Sequence, residues 1–142
     1  MNETFCGSGC PESRTLRPEP MIASLDCLAR RNSCFRREIW TGNYFQVTLM
    51  CIPAGGEIGL ECHEDTDQLL CIAEGCAVVT IGKHRACMKD QKRVGRGCAV
   101  MIPAGTWHNL CNAGRTPLKL YSLYAPPRHP AGTVQRTKED AE

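Results

Sequence analysis

A chain of 142 residues, 42% hydrophobic and with a formal charge of +2, is long enough for one packed core, and nothing in it marks a second domain. The small net charge leaves no electrostatic footprint for nucleic acid, and no run approaches the roughly 18 apolar residues of a membrane span. The first residues, Met1-Asn2-Glu3-Thr4-Phe5-Cys6, lack the basic-then-apolar layout of a signal peptide, so the sequence reads as cytoplasmic.

In chain order, residues 1–20 carry Gly7, Gly9, Pro11, Pro18 and Pro20 and read as a flexible leader. Ser24 to Arg31 predicts a short helix capped by Ser24, with Leu25 and Leu28 on one side. From Phe35 onward strands dominate. Tyr44 to Ile52 alternates: Phe45, Val47, Leu49 and Cys51 share one face, while Gln46, Thr48 and Met50 share the other. That pattern suits a barrel wall with a packed side and a more polar side near a pocket. Further strands are expected at Gly59–His63, Gln68–Ala73, Ala77–Ile81, Cys98–Ile102, His108–Asn112 and Leu118–Tyr124, with Gly, Pro and Asn turns between them. Many short strands so punctuated predict an all-β, antiparallel jelly-roll barrel. Residues 21–130 form the predicted domain, and residues 131–142 a polar surface tail.

The chemistry gathers at two stretches. Strand alternation places Glu61 and His63 side by side and turns Cys62 away. The acidic, turn-prone Glu64-Asp65-Thr66-Asp67 lets the next strand start at Gln68 and run back beside the pair. A second turn, Pro103-Ala104-Gly105-Thr106, delivers His108 from another strand pair. Two imidazoles and a carboxylate on facing strands are the donor set that holds non-haem iron or another borderline divalent ion, with open positions left over. The Gln68 amide is then a weak fourth ligand or a group that orients bound water. His84 and His129 read as structural residues.

Written as patterns, these stretches are Gly55-x5-Glu61-x-His63-x4-Gln68-x6-Gly75 and Gly97-x5-Pro103-x-Gly105-x2-His108-x3-Asn112. Together they resemble the two signature motifs of the cupin superfamily, in which three histidines and a glutamate converge on a metal inside a double-stranded β-helix. Glu61 stands where that family usually has His, and Gln68 where it usually has Glu. Trp40-Thr41-Gly42 and the run Tyr124-Ala125-Pro126-Pro127-Arg128-His129-Pro130 extend the likeness to a subgroup of small single-domain bacterial cupins loosely called mannose-6-phosphate isomerase-like. The resemblance implies one divalent metal ion (Zn, Fe, Mn or Ni) on Glu61, His63, Gln68 and His108. It also implies a small-molecule metalloenzyme of dioxygenase or isomerase type, or a non-catalytic module that binds a small molecule or sugar. Trp107, Tyr121 and Tyr124 are expected to line the mouth of the site.

Eleven cysteines would suggest a disulfide framework in a secreted chain. Here they are odd in number and scattered through strand-like segments, which predicts reduced, partly buried thiols. Cys6, Cys10, Cys27 and Cys34 have no C-x2-C spacing to support an accessory zinc site. The basic clusters Arg30-Arg31, Arg36-Arg37 and Lys83 to Arg96 read as solvated loop or edge strand, or as a receiver for an anionic substrate such as a sugar phosphate. Apolar Phe35, Ile39 and Trp40 predict a homodimer in which this segment packs against a partner's sheet.

Overall fold

The computed structural model describes residues 18–142; most of the expected leader lies outside the described residues. Helix α1 (Leu25–Arg31) is capped by Ser24, whose side chain accepts from the Cys27 N–H. Nine strands follow: β1 (Arg36–Thr41), β2 (Gln46–Ile52), β3 (Asp67–Glu74), β4 (Cys76–Gly82), β5 (Asp90–Gly95), β6 (Ala99–Ile102), β7 (Trp107–Asn112), β8 (Leu118–Ala125) and β9 (Val134–Gln135). They make a six-stranded sheet in the order β6-β3-β8-β2-β1-β9 and a three-stranded sheet in the order β5-β4-β7. Every pairing is antiparallel. The two sheets face each other as a jelly roll, as the sequence predicts.

Alternate residues of each strand fill the interior between the sheets. Met50, Ile52, Leu70, Ile72, Leu118 and Leu120 of the large sheet meet Ala77, Val79 and Leu110 of the small one, with Phe35, Ile58, Val100 and Ile102 completing the core. On the outer side of the large sheet, α1 covers Leu49, Ala73, Ile39 and Tyr121 through Ala29 and Leu28. Among the described residues no helix is long and apolar enough to cross a membrane.

One expectation changes, and two gain detail. Strand Gly59–His63 does not form as a regular strand: Glu57 and Glu61 make single bridges to Cys111 and His108. The basic stretch before Gly97 contains β5, an edge strand with its first four residues exposed. In the mostly exposed stretch 131–142, Val134–Gln135 pair with Arg36 and Arg37 of β1 and Lys138 reaches Glu57 at 3.8 Å. Of the cysteines, Cys34, Cys51, Cys62, Cys71, Cys76, Cys87, Cys98 and Cys111 are free thiols. Cys27, by contrast, is disulfide-bonded. That corrects the all-reduced reading and withdraws Cys27 from any accessory zinc set; Cys6 and Cys10 lie outside the described residues.

Candidate metal centre

The site is assembled by local hydrogen bonds that tie the two sequence motifs together. Gly105 takes φ +80°, a left-handed conformation that costs a glycine little, and its N–H donates to the His63 carbonyl at 2.7 Å. The next backbone donor of that turn, Ala104 N–H, goes to the Asp67 carboxylate at 2.8 Å. The turn at 103–106 is thus fastened to both ends of the acidic loop, and β7 leaves it carrying His108. On the other side, Asn109 grips the segment that carries Glu61: its amide donates to Glu57 at 3.0 Å and its oxygen accepts from the Gly59 N–H at 3.0 Å. Backbone bonds between Glu61 and His108, at 3.0 and 2.9 Å, set the two side chains next to each other.

The ligand atoms of Glu61, His63 and His108 all lie within 4.8 Å of one another. Glu61 Oε1 is 3.3 Å from His108 Nε2 and 3.5 Å from His63 Nε2. His108 Nδ1 sits 3.0 Å from the Thr106 carbonyl, which puts a proton on Nδ1 and points Nε2 inward at Glu61. Neither nitrogen of His63 has a hydrogen-bond partner. Burial pushes the Glu61 carboxyl upward, but the imidazoles of His108 and His63 outweigh it and hold it down at about 2. The carboxylate is therefore charged at neutral pH. An ionised carboxylate, an imidazole with a fixed tautomer and an unpartnered imidazole form a donor set that fits a borderline divalent ion.

The other expected site residues divide. Gln68 is buried, faces the interior between Tyr124 and Ile102 in register, and neither atom of its amide has a partner. Tyr124 is buried beside the triad, with its ring centroid 6.0 Å from that of His63. Tyr121 and Trp107 are corrections. Tyr121 packs under α1 on the outer side of the large sheet, and Trp107 sits out of the interior with Arg85 over its ring at 5.9 Å. Alternation decides both: Tyr121 is three residues from Tyr124, and Trp107 is adjacent to His108. His129, expected as a structural residue, instead packs edge-on to Tyr124 at 5.1 Å, and burial, aided by Arg36, pulls its imidazole down to about 4.

The match to the family described as Cupin domain runs over residues 48–124, which includes every residue of the triad. The chain belongs to the cupin family. It is 48% identical over 124 residues to the Uncharacterized protein YrkC of Bacillus subtilis (strain 168), covering 87% of this chain and 67% of the relative. It is 40% identical over 106 residues to the Uncharacterized protein L612 of Acanthamoeba polyphaga mimivirus, covering 73% of this chain and 64% of that one. The chain thus spans about two thirds of the length of these curated relatives. The crystal structure of BH2720 from Bacillus halodurans superimposes with a TM-score of 0.86 at 48% identity, covering 87% of this cupin and 94% of that chain.

Proposed function

We propose that this cupin is a small-molecule metalloenzyme that holds one divalent ion, Zn, Fe, Mn or Ni, on Glu61, His63 and His108. The observation that carries the reading is the convergence of those three ligand atoms within 4.8 Å. Gln68, with its partnerless buried amide, serves as the fourth, weaker ligand or as the hydrogen-bond partner of a ligand's oxygen, and Tyr124 forms the wall beside it. A divalent ion held there supplies Lewis acidity or redox chemistry toward dioxygen.

Of the two reaction types, the dioxygenase type is favoured over isomerisation, which needs a side chain to carry a proton between adjacent carbons. The acids beside the triad, Glu61 and those of the 64–67 turn, are engaged elsewhere, and exposed Glu64 accepts from the Cys62 thiol at 3.6 Å. Glu61 is held by both imidazoles, Asp67 accepts from the Ala104 N–H, and exposed Asp65 faces Arg128 at 4.0 Å. The same engagement supports a second reading, a barrel that binds a small molecule without turning it over. The eight free thiols favour a reducing compartment such as the cytoplasm, and the Cys27 disulfide counts against it. The homodimer reading now rests on Trp40, Tyr44 and Phe45, because Phe35 is buried in its own core; light scattering reads that state.

Elemental analysis tests the metal. Protein loaded with these ions and then desalted is expected to hold about one per chain, and the double variant His63→Ala, His108→Ala is expected to hold none. Unchanged metal content in that variant removes the site. Under competition with a chelator, Gln68→Glu is expected to bind the ion more tightly and Glu61→Ala far more weakly; equal losses would overturn the ranking of the ligands.

A further inference from the structure

Among the described residues, six keep buried polar side-chain atoms without a hydrogen-bond partner: Arg36, Thr48, His63, Gln68, Ser122 and His129. His63 and Gln68 belong to the metal centre. The other four belong to nothing yet described: Thr48, Ser122 and His129 lie around Tyr124 at one end of the interior, and the Arg36 side chain reaches Tyr124 from the level of Met50. Arg36 lies opposite Met50, a core residue, so it turns inward while Arg37 turns out. Thr48 and Ser122 are partners across β2 and β8, one step from the Gln46 and Tyr124 pair. Orphaned hydroxyls in a dry interior cost free energy unless something supplies their bonds.

Arg36 is the decisive member. It is 6% exposed, its guanidinium lies over the Phe35 ring at 5.5 Å, and one terminal nitrogen donates to Gln135 Oε1 at 2.8 Å. Its Nε has no partner, and among the described residues no carboxylate stands within ion-pair distance of it. Glu38, on the same face of β1, accepts from Thr41 and from the Gly132 N–H. A buried cation with no carboxylate in contact is costly, and an anion of matching geometry removes that cost. Tyr124 links this corner to the metal centre, with His63 on one side of its ring and His129 on the other. Arg36 also acts on the Tyr124 hydroxyl, opposing the rise in its pKa that burial causes. Glu61 keeps 26% of its side chain exposed, against 1% for His108, so solvent reaches the triad past Glu61.

We propose that Arg36 binds the carboxylate of a small organic acid that lies along the barrel interior, with Thr48 and Ser122 hydroxyls beside it and the acid's other end directed to the metal centre of Glu61, His63 and His108. This deepens the metalloenzyme reading and rests on it for the second end of the ligand only. A carboxylate fits better than a phosphate for two reasons. The guanidinium, whose Nε has no partner, is a planar group that matches two oxygens in one plane. His129, neutral above about pH 4, adds no second positive charge at this corner, which suits one singly charged carboxylate rather than a phosphate with both charges on one group.

The probe is malonate, titrated calorimetrically into metal-loaded and into chelator-treated protein, with malonamide and inorganic phosphate as comparators. Malonate is expected to bind both forms, the loaded one more tightly, and Arg36→Met is expected to weaken it about tenfold or more while leaving metal content unchanged. Gln135→Ala, which removes the neutral contact of Arg36 and spares its charge, is expected to bind malonate as the wild type does. Free of ligand, Arg36→Met is expected to melt no lower than the wild type, since a buried unpaired charge has been replaced by an apolar chain. Equal affinity for malonamide, tighter binding of phosphate than malonate, no binding of malonate, or malonate binding unaffected by Arg36→Met each overturns the proposal. Loss of metal binding alone does not, because the chelator-treated arm reads Arg36 without the ion.

Discussion

The two ends of the barrel interior are built from the same strands and differ in every other respect. Along β2, β3 and β8 the inward residues at one end are Met50, Ile52, Leu70, Ile72, Leu118 and Leu120, and their polar atoms are confined to the backbone. A step further along the same strands the inward residues are Thr48, Gln46, Gln68, Ser122 and Tyr124, beside them stand His63 and His108, and the Arg36 side chain reaches in from the level of Met50. Register steps from one end to the other: Met50 pairs with Leu120 and Thr48 with Ser122, and the ends meet where Ser122 pairs with Leu70 of β3. The apolar end gains free energy from each residue it buries. The polar end gains little and loses some, because six of its residues hold buried atoms with no partner. A fold that needed only to be stable would be apolar at both ends, so the polar end is where function is sought.

The comparison is broken most strongly at the apolar end. Leu120 is fully buried among Met50, Leu118 and Ile72, and Leu120→Ala removes both transfer energy and packing. A loss of about 2–5 kcal/mol in urea-denaturation stability is expected, with metal stoichiometry of the folded protein unchanged. A loss below about 1 kcal/mol would mean that the apolar end is not what holds the barrel together.

How much of this the sequence discloses depends on whether the signal is local. Glu61 and His63 two apart, and a Pro-Ala-Gly-Thr turn three residues before a histidine's partner face, are local patterns, and the structure brings Glu61, His63 and His108 together as they imply. The inward face of β2 was legible for the same reason, since Gln46, Thr48 and Met50 alternate with Val47, Leu49 and Cys51. Strand β5 was not, because Asp90-Gln91-Lys92-Arg93 is polar on both faces and carries no hydrophobic period. Arg36 was visible only as one of a basic pair. Its inward direction follows from the Arg36-x-Glu38 phase of β1, and that phase is fixed by pairing to β2 and then shifts at the irregularity between Glu38 and Trp40. Tyr121 and Trp107 were misassigned although alternation, the rule that turned Cys62 aside, already placed them out of the interior.

At the polar end a substitution of similar size is expected to do much less. Thr48→Val combined with Ser122→Ala replaces two orphaned hydroxyls with carbon or hydrogen, and each hydroxyl is buried without a partner. Ligand-free stability is expected to stay within about 1 kcal/mol of the wild type or to rise, since removing an unsatisfied buried group is nearly neutral or favourable. A loss as large as that of Leu120→Ala would show that the hydroxyls are satisfied in the folded state and that the two ends do not differ as described.

The smallest effect separates the ends by pH. Burial, with Arg36 behind it, lowers His129 from 6.5 to about 4, so the folded chain resists a proton that the unfolded chain accepts. The stability from its neutral form is full above pH 6.5 and is lost as pH falls toward 4, because over that interval the unfolded state binds more protons. Glu61 follows in a lower window. Its carboxyl is held at about 2 against 4.5, so its contribution is present above 4.5 and is lost as pH falls toward 2. Both belong to the polar end, and the apolar end contains no group that titrates. Melting temperatures of chelator-treated protein, taken from pH 7 to 4, are therefore expected to fall less steeply in His129→Gln than in the wild type. The Leu120→Ala variant should fall in parallel with the wild type from a lower start. If His129→Gln keeps the full wild-type slope, the imidazole is not shielded by Tyr124 and Arg36, and the acid sensitivity of the barrel arises elsewhere.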